Sequence, residues 1–174
     1  MNPFNRRGQA LIELALMLPI FLAIVLGTVE YSNMFMTSLR ASNLSRQIAN
    51  AAFRDCAFLS DAAMSGCLST VTGKVAADAN EILQDFATRG TVIASTYVRD
   101  NTMSPPVRLA STRSAGAGGH VSGYTRTTVD LNIVTQHDRI VIGELFYPYT
   151  AITPFSSVLP LVNVRSQLYE VTIY

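Results

Sequence analysis

Charge is scarce in this sequence. Only 14% of its 174 residues are Asp, Glu, Lys or Arg, and 13 basic against 12 acidic groups leave a net charge of +1. Soluble domains usually carry about 25% charged residues. A disordered chain would be less apolar and more heavily charged, and a dedicated nucleic-acid binder would be far more basic, so both classes are excluded. Histidine and cysteine are equally thin, with two of each. His120 and His137 lack the additional ligands a metal site needs, since Asp138 beside His137 has no second pair to join it. Cys56 and Cys67 are too widely spaced for a Cys-x-x-Cys redox or zinc pair. The glycines of Gly116-Ala117-Gly118-Gly119 do not make a dinucleotide fingerprint, because Val121 stands where the third glycine is required. Nothing resembles a nucleophile elbow, and no internal repeat is visible. The residues therefore point to a chain that is not an enzyme, with no cofactor, no metal and no small-molecule substrate.

What the sequence does have is apolar bulk, 49% of all residues, concentrated at one end. Sixteen residues between Glu13 and Glu30 carry no charge. With Gln9 to Ile12 they give a span over 9–29, and about twenty residues suffice for a helix to cross a hydrocarbon core of about 30 Å. Pro19 removes one helical hydrogen bond, which membrane helices tolerate. Arg6 and Arg7 precede the run and the next basic residue is Arg40, so the positive-inside rule puts the short head in the cytoplasm and the long remainder outside. A cleaved secretory signal would have a shorter apolar stretch ending in a small-x-small site, which Thr28-Val29-Glu30-Tyr31 does not supply. A buried core helix of such length without a charge is also disfavoured.

Glu13 is the anomaly. An ionisable group within an apolar span is costly and usually functional; the alternative is a carboxylate lying at the headgroup level. The order of residues around it favours a function: Arg6-Arg7-Gly8, then Gln9-Ala10-Leu11-Ile12, then Glu13 opening the apolar helix. Glycine lets a backbone approach a protease closely. A cut after Gly8 would remove the basic leader and create an ammonium on Gln9. Glu13, four residues on and about 6 Å away along a helix, lies in the first turns, where the macrodipole favours an anion.

That order resembles the processing site of type IV pilins and pseudopilins, in which a membrane aspartyl peptidase cuts after the glycine and leaves glutamate as the fifth mature residue. The longer run Arg7-Gly8-Gln9-Ala10-Leu11-Ile12-Glu13-Leu14-Ala15-Leu16-Met17-Leu18-Pro19, followed by Gly27-Thr28-Val29-Glu30-Tyr31, is similar to the head of the TadE-like proteins (TadE and TadF). These are minor pilins of the tight-adherence (Tad, or Flp) pilus. The tail, Phe146-Tyr147-Pro148-Tyr149 with Ile152-Thr153-Pro154-Phe155 and a last strand, is similar to the end of those proteins. The resemblance implies a prepilin peptidase acting between Gly8 and Gln9, and Glu13 as the charge that sets register in assembly. It also implies other pilins and inner-membrane assembly proteins as partners, an inner-membrane location, and a long helix packed on an antiparallel sheet.

Beyond the span the residues suggest an α+β domain over 30–174, after a basic leader at 1–8. Leu39, Leu44, Ile48, Ala52 and Phe53 recur at near-helical intervals and extend the membrane helix through about residue 55. Val71, Val75, Ala79, Ile82, Leu83 and Phe86 predict a second helix at about 69–88, stopped by Gly90. Four strands are expected, at 91–98, 125–135, 139–147 and 164–174, from β-branched runs and from the alternation of Val129, Leu131 and Ile133. Strands following helices indicate α+β with an antiparallel sheet. The stretch 100–123, with Pro105-Pro106 and its glycines, reads as a long mobile loop, and Pro148, Pro154 and Pro160 break the chain before the last strand. Both cysteines fall outside the membrane, where an oxidising periplasm favours a Cys56–Cys67 bridge over two free thiols. Besides the minor pilin, two readings stay open. One is an unprocessed single-pass protein whose outer domain binds a ligand or partner; the other is a tethered periplasmic hydrolase, resting only on abundant serine.

Overall fold

The structure is a computed structural model that describes residues 3–129, 131–152 and 167–174. The chain forms two compact units: Met1–Met36 with Thr150–Arg165, and Thr37–Tyr149 with Ser166–Tyr174. One helix, α1 (Pro3–Cys56, 54 residues), runs through the head and on into the second unit. Pro19 lies inside it.

In the first unit no described residue from Gly8 to Val29 is buried. Leu11, Leu14, Leu16, Met17, Ile20, Phe21 and Ile24 are all more than half exposed. Among the described residues, this part of the helix has the apolar, unburied surface of a segment with no core of its own. At its end Glu30 is buried, and both its carboxylate oxygens accept the backbone N–H of Ile152, at 3.3 and 3.1 Å.

The second unit is a four-stranded antiparallel sheet with helices against it. Its elements after α1 are α2 (Asp61–Ile82), α3 (Phe86–Arg89), β1 (Thr91–Arg99), β2 (Val107–Ala115), α4 (Leu131–His137), β3 (Arg139–Tyr147) and β4 (Leu168–Ile173). The sheet order is β2-β1-β3-β4. From Ala41 onward α1 buries Ala41, Leu44, Ile48, Ala49 and Ala52, a helical stripe whose small members let the backbone come close. The closest approach is at Gly143 of β3. A Cβ there would lie 2.8 Å from the Ser45 carbonyl oxygen, 2.8 Å from the Ala49 nitrogen and 3.0 Å from the Ala49 Cβ. Ser45 seals the contact: its hydroxyl donates to the Gly143 carbonyl at 3.0 Å and lies within hydrogen-bond distance of the Thr172 hydroxyl, also at 3.0 Å. Helix α2 turns Met64, Leu68, Val71, Thr72, Val75 and Ala79 inward at helical spacing. Asp61 in its first turn suits the helix dipole and meets Arg108 of β2 at 2.6 Å. The opposite face of the sheet has a smaller core of Tyr97, Val107, Val129, Val134, Ile140 and Ile142.

The α+β class and the antiparallel sheet agree with the sequence reading, while several boundaries differ. The helix expected at 69–88 begins at Asp61 and ends at Ile82; Asp85 in the left-handed region (φ 58°) separates it from the short α3. The stretch 125–135, expected as a strand, is a turn leading into α4. Ile133 and Val134 of α4, together with Val129 just before it, pack on Ile140 and Ile142. The preceding threonines bond locally: the Thr125 N–H donates to the Thr128 hydroxyl at 2.7 Å, a geometry that favours turns over ladders. The stretch 100–123, expected as a loop, contains β2, paired with β1 from Arg99↔Val107 to Val92↔Ala115. As an edge strand it fully buries only Val107, so it needs few apolar side chains and its Ser, Thr and Arg content resembles a loop. Pro154, Pro160, the Thr153-Pro154-Phe155 part of the tail resemblance and the start of the last expected strand lie outside the described residues.

Candidate functional site

The sequence candidates Gly8, Gln9 and Glu13 all lie on the exposed head of α1. Gly8 stands open, with nothing within 4 Å of the position a Cβ would take. The Gln9 side-chain amide donates to Glu13 Oε1 at 3.2 Å, the i, i+4 pairing that helical geometry allows. Residues 9 and 13 therefore face the same side of the helix, and a positive group at residue 9 would find the carboxylate within one turn. No buried side chain shields Glu13, so its charge is available to a neighbouring molecule.

Behind this head α1 contains a window long and apolar enough to cross a membrane, and none of that window is buried within the protein. The helix fits single-pass anchoring. A buried carboxylate closes the window: Glu30, 6% exposed, holds the amide of a residue 122 positions later in the chain. Sequence reasoning noted Glu30 as a flank of the apolar run and missed its partner.

The second unit carries two further polar features. Cys56, the last residue of α1, is joined to Cys67 of α2 by a disulfide, with Cα atoms 5.6 Å apart. On the far face of the sheet Glu144 is fully buried. It accepts hydrogen bonds from the Ser122 hydroxyl, from the Gly123 N–H at 2.8 Å and from the Tyr169 hydroxyl at 2.7 Å. Burial, and then the hydrogen bond to Glu144, raise the pKa of Tyr169. Burial with the nearby Glu144 charge pushes Tyr97 up to about 12. A carboxylate with three donors is satisfied, and its geometry fastens the Ser122–Gly123 segment to the sheet instead of offering a free acid or base. The signal was present in the sequence: Glu144 is the one charge in the inward series Ile140, Ile142, Glu144.

His120 stacks on Phe146 with ring centroids 4.8 Å apart, and its ring nitrogens face the Gln167 amide at 3.2 and 3.5 Å. Ser122 bonds Glu144 and not His120, so these residues do not assemble a serine–histidine relay. Among the described residues no group of three His, Cys, Asp or Glu side chains is placed to hold a metal ion.

Comparison with curated proteins gives no match, and neither does comparison with solved structures. The head of the chain, residues 8–50, matches the family model described as TadE-like protein, the family that this same stretch of sequence resembles.

Proposed function

We propose that this chain is a minor pilin, or pseudopilin, that takes part in assembling and priming a Tad/Flp-type adhesive pilus. One observation carries the reading: the TadE-like match starts at Gly8 and runs through Glu13 and the whole uncharged helix. It therefore covers the segment in which cleavage, anchoring and packing would all be encoded.

In this reading the precursor is held in the inner membrane with Arg6 and Arg7 in the cytoplasm and residues 30–174 in the periplasm. A prepilin peptidase cuts between Gly8 and Gln9. The exposed backbone at Gly8 suits that step, since no side chain obstructs the approach. The cut exchanges the basic leader for a single ammonium on Gln9. Glu13, one turn away, then compensates that ammonium or the one on an adjacent subunit. In a low-dielectric bundle such a pair both attracts and fixes register, although desolvation offsets part of the gain. The bulky exposed side chains of 11–29 supply the apolar packing surface. The protein works through contacts with other pilins and inner-membrane assembly proteins, with no catalysis and no cofactor.

The experiment is the N-terminal sequence and intact mass of the protein from its native membranes, with Gly8→Ala as control. A mature chain beginning at Gln9, lost in the control, is expected. A chain that keeps Met1 in mature membranes would replace this reading with an unprocessed single-pass protein whose outer domain binds a partner.

A further inference from the structure

The apolar surface of α1 does not stop at Glu30. Beyond it Tyr31, Phe35, Met36 and Leu39 remain 66%, 53%, 51% and 46% exposed. At 100° per residue they lie on the side of the helix opposite Glu30. The next charge on the helix is Arg40, and the exposed residues after it turn polar: Asn43, Arg46, Gln47 and Asn50. Left in water, the stretch 31–39 would be an apolar stripe of the kind that soluble surfaces avoid.

We propose that lipid of the outer leaflet covers this stripe, so that the membrane-embedded part of α1 ends at Arg40 and not at Glu30. The proposal rests on the reading of α1 as a membrane anchor, and three observations carry it further. First, the stripe is continuous with the lipid-facing surface of the span, with no exposed charge from Leu14 to Leu39. Second, Glu30, the one carboxylate of the helix in between, is removed from the surface, being 6% exposed and accepting the Ile152 amide; the Glu170 carboxylate beside the stripe is half-buried and accepts from the Ser38 hydroxyl at 3.2 Å. That is the condition under which an acidic group is tolerated at membrane depth. Third, the length fits. Twenty-seven residues separate Glu13 from Arg40, about 40 Å of helix, and a bilayer with its headgroup layers is about 40–45 Å thick. Glu13 then lies at the inner headgroup layer before assembly, and the Arg40 guanidinium meets the phosphates of the outer one, its charge complementary to theirs. A span confined to 9–29 leaves both matches unexplained. Tyr31 and Ser32 carry the exposed hydroxyls of the stretch, and the Ser32 hydroxyl can bond back to its own helix as Thr28 does to the Ile24 carbonyl at 2.7 Å.

The chain contains no tryptophan, so a single introduced indole is an unambiguous reporter. The full-length protein, reconstituted in phosphatidylcholine vesicles with brominated acyl chains, is compared as four variants: Leu22→Trp, Phe35→Trp, Leu39→Trp and Asn50→Trp. All four positions are exposed, so the fold is not at stake. Leu22→Trp and Phe35→Trp are expected to lose emission, Leu39→Trp to lose less because it lies beside Arg40 at the headgroup layer, and Asn50→Trp to keep it. Quenching of Leu22→Trp alone overturns the extended register and leaves the membrane anchor standing. Failure to quench Leu22→Trp overturns both. Quenching of Asn50→Trp as well overturns the boundary at Arg40.

Discussion

The two halves of α1 have opposite surfaces. From Leu11 to Val29 its large apolar side chains point outward with no polypeptide to receive them; from Ala41 to Ala52 a narrow stripe of small and medium side chains is fully enclosed by the sheet unit. The difference shows which selection acts on each. The first half, the inner one in the orientation proposed above, turns its apolar side chains outward, so its chemistry stands in the sequence as runs and isolated charges. The second half, the outer one in that orientation, is written for an internal fit, so its meaning depends on residues far away, such as Gly143 of β3.

The sharpest way to test this contrast is Glu13→Ala. It gives up one exposed bond from the Gln9 amide and should leave expression, membrane insertion and thermal stability unchanged, yet abolish pilus assembly when scored by shear recovery and electron microscopy. Normal pili from that variant would remove Glu13 from the assembly reading.

In the outer half the largest effect should come from the disulfide. Closing a loop with a sequence separation of 11 stabilises by about 3 kcal/mol in the chain-entropy model. Paired Cys56→Ser and Cys67→Ser substitutions should therefore lower the unfolding midpoint of the outer unit substantially, as read by circular dichroism in detergent. A midpoint unchanged by the double substitution would show that α1 and α2 are held by packing alone.

Gly143→Ala comes next. One methyl group would press on the Ser45 carbonyl and the Ala49 nitrogen, both at 2.8 Å. These are backbone atoms of a packed helix and cannot move aside as a side-chain tip would. Overpacking of this kind costs about 1–3 kcal/mol, so a denaturant midpoint lowered on that scale is expected. The equivalent change at Gly73, where a Cβ meets nothing within 4 Å, should be neutral or slightly stabilising.

These particulars also explain what could be read in advance. The family resemblance of the head was legible because Gly8, Glu13, Pro19 and Glu30 stand at fixed offsets along one segment, the one that the TadE-like family model matches. β1 and β3 were legible because they are buried centre strands rich in β-branched residues, as Thr91–Val98 and Ile140–Ile142 show. β2 was not, because an edge strand is held by its backbone pairing with β1 and its exposed side chains are free to be Ser, Thr and Arg. The stretch 125–135 was misread because Val129, Leu131 and Ile133 alternate as a strand would, and only packing on Ile140 and Ile142 selects the turn and helix. Glu144 stands out locally as the one charge in the inward series of β3, but the long-range partners themselves, Ile152 for Glu30 and Ser122 with Gly123 for Glu144, leave no local pattern.

The smallest effect, and the one that isolates the far face of the sheet, is a response to alkali. An unfolded tyrosine titrates near pH 10, whereas burial and the neighbouring Glu144 charge hold Tyr97 at about 12. Burial and the Glu144 hydrogen bond also raise Tyr169. Between these limits the unfolded chain has released protons that the folded chain keeps. With fewer protons bound in the unfolded state, stability falls as pH rises. The contribution is complete below about pH 10 and declines toward about pH 12. Denaturant midpoints of the outer unit should be level up to the start of this window and drift down within it. Tyr97→Phe should flatten the drift, at the cost of the hydrogen bond its hydroxyl donates to the Tyr124 carbonyl at 3.0 Å. If Tyr97→Phe and wild type lose stability in parallel, Tyr97 does not carry the response, and Tyr169→Phe then tests whether the Glu144 clasp carries it instead.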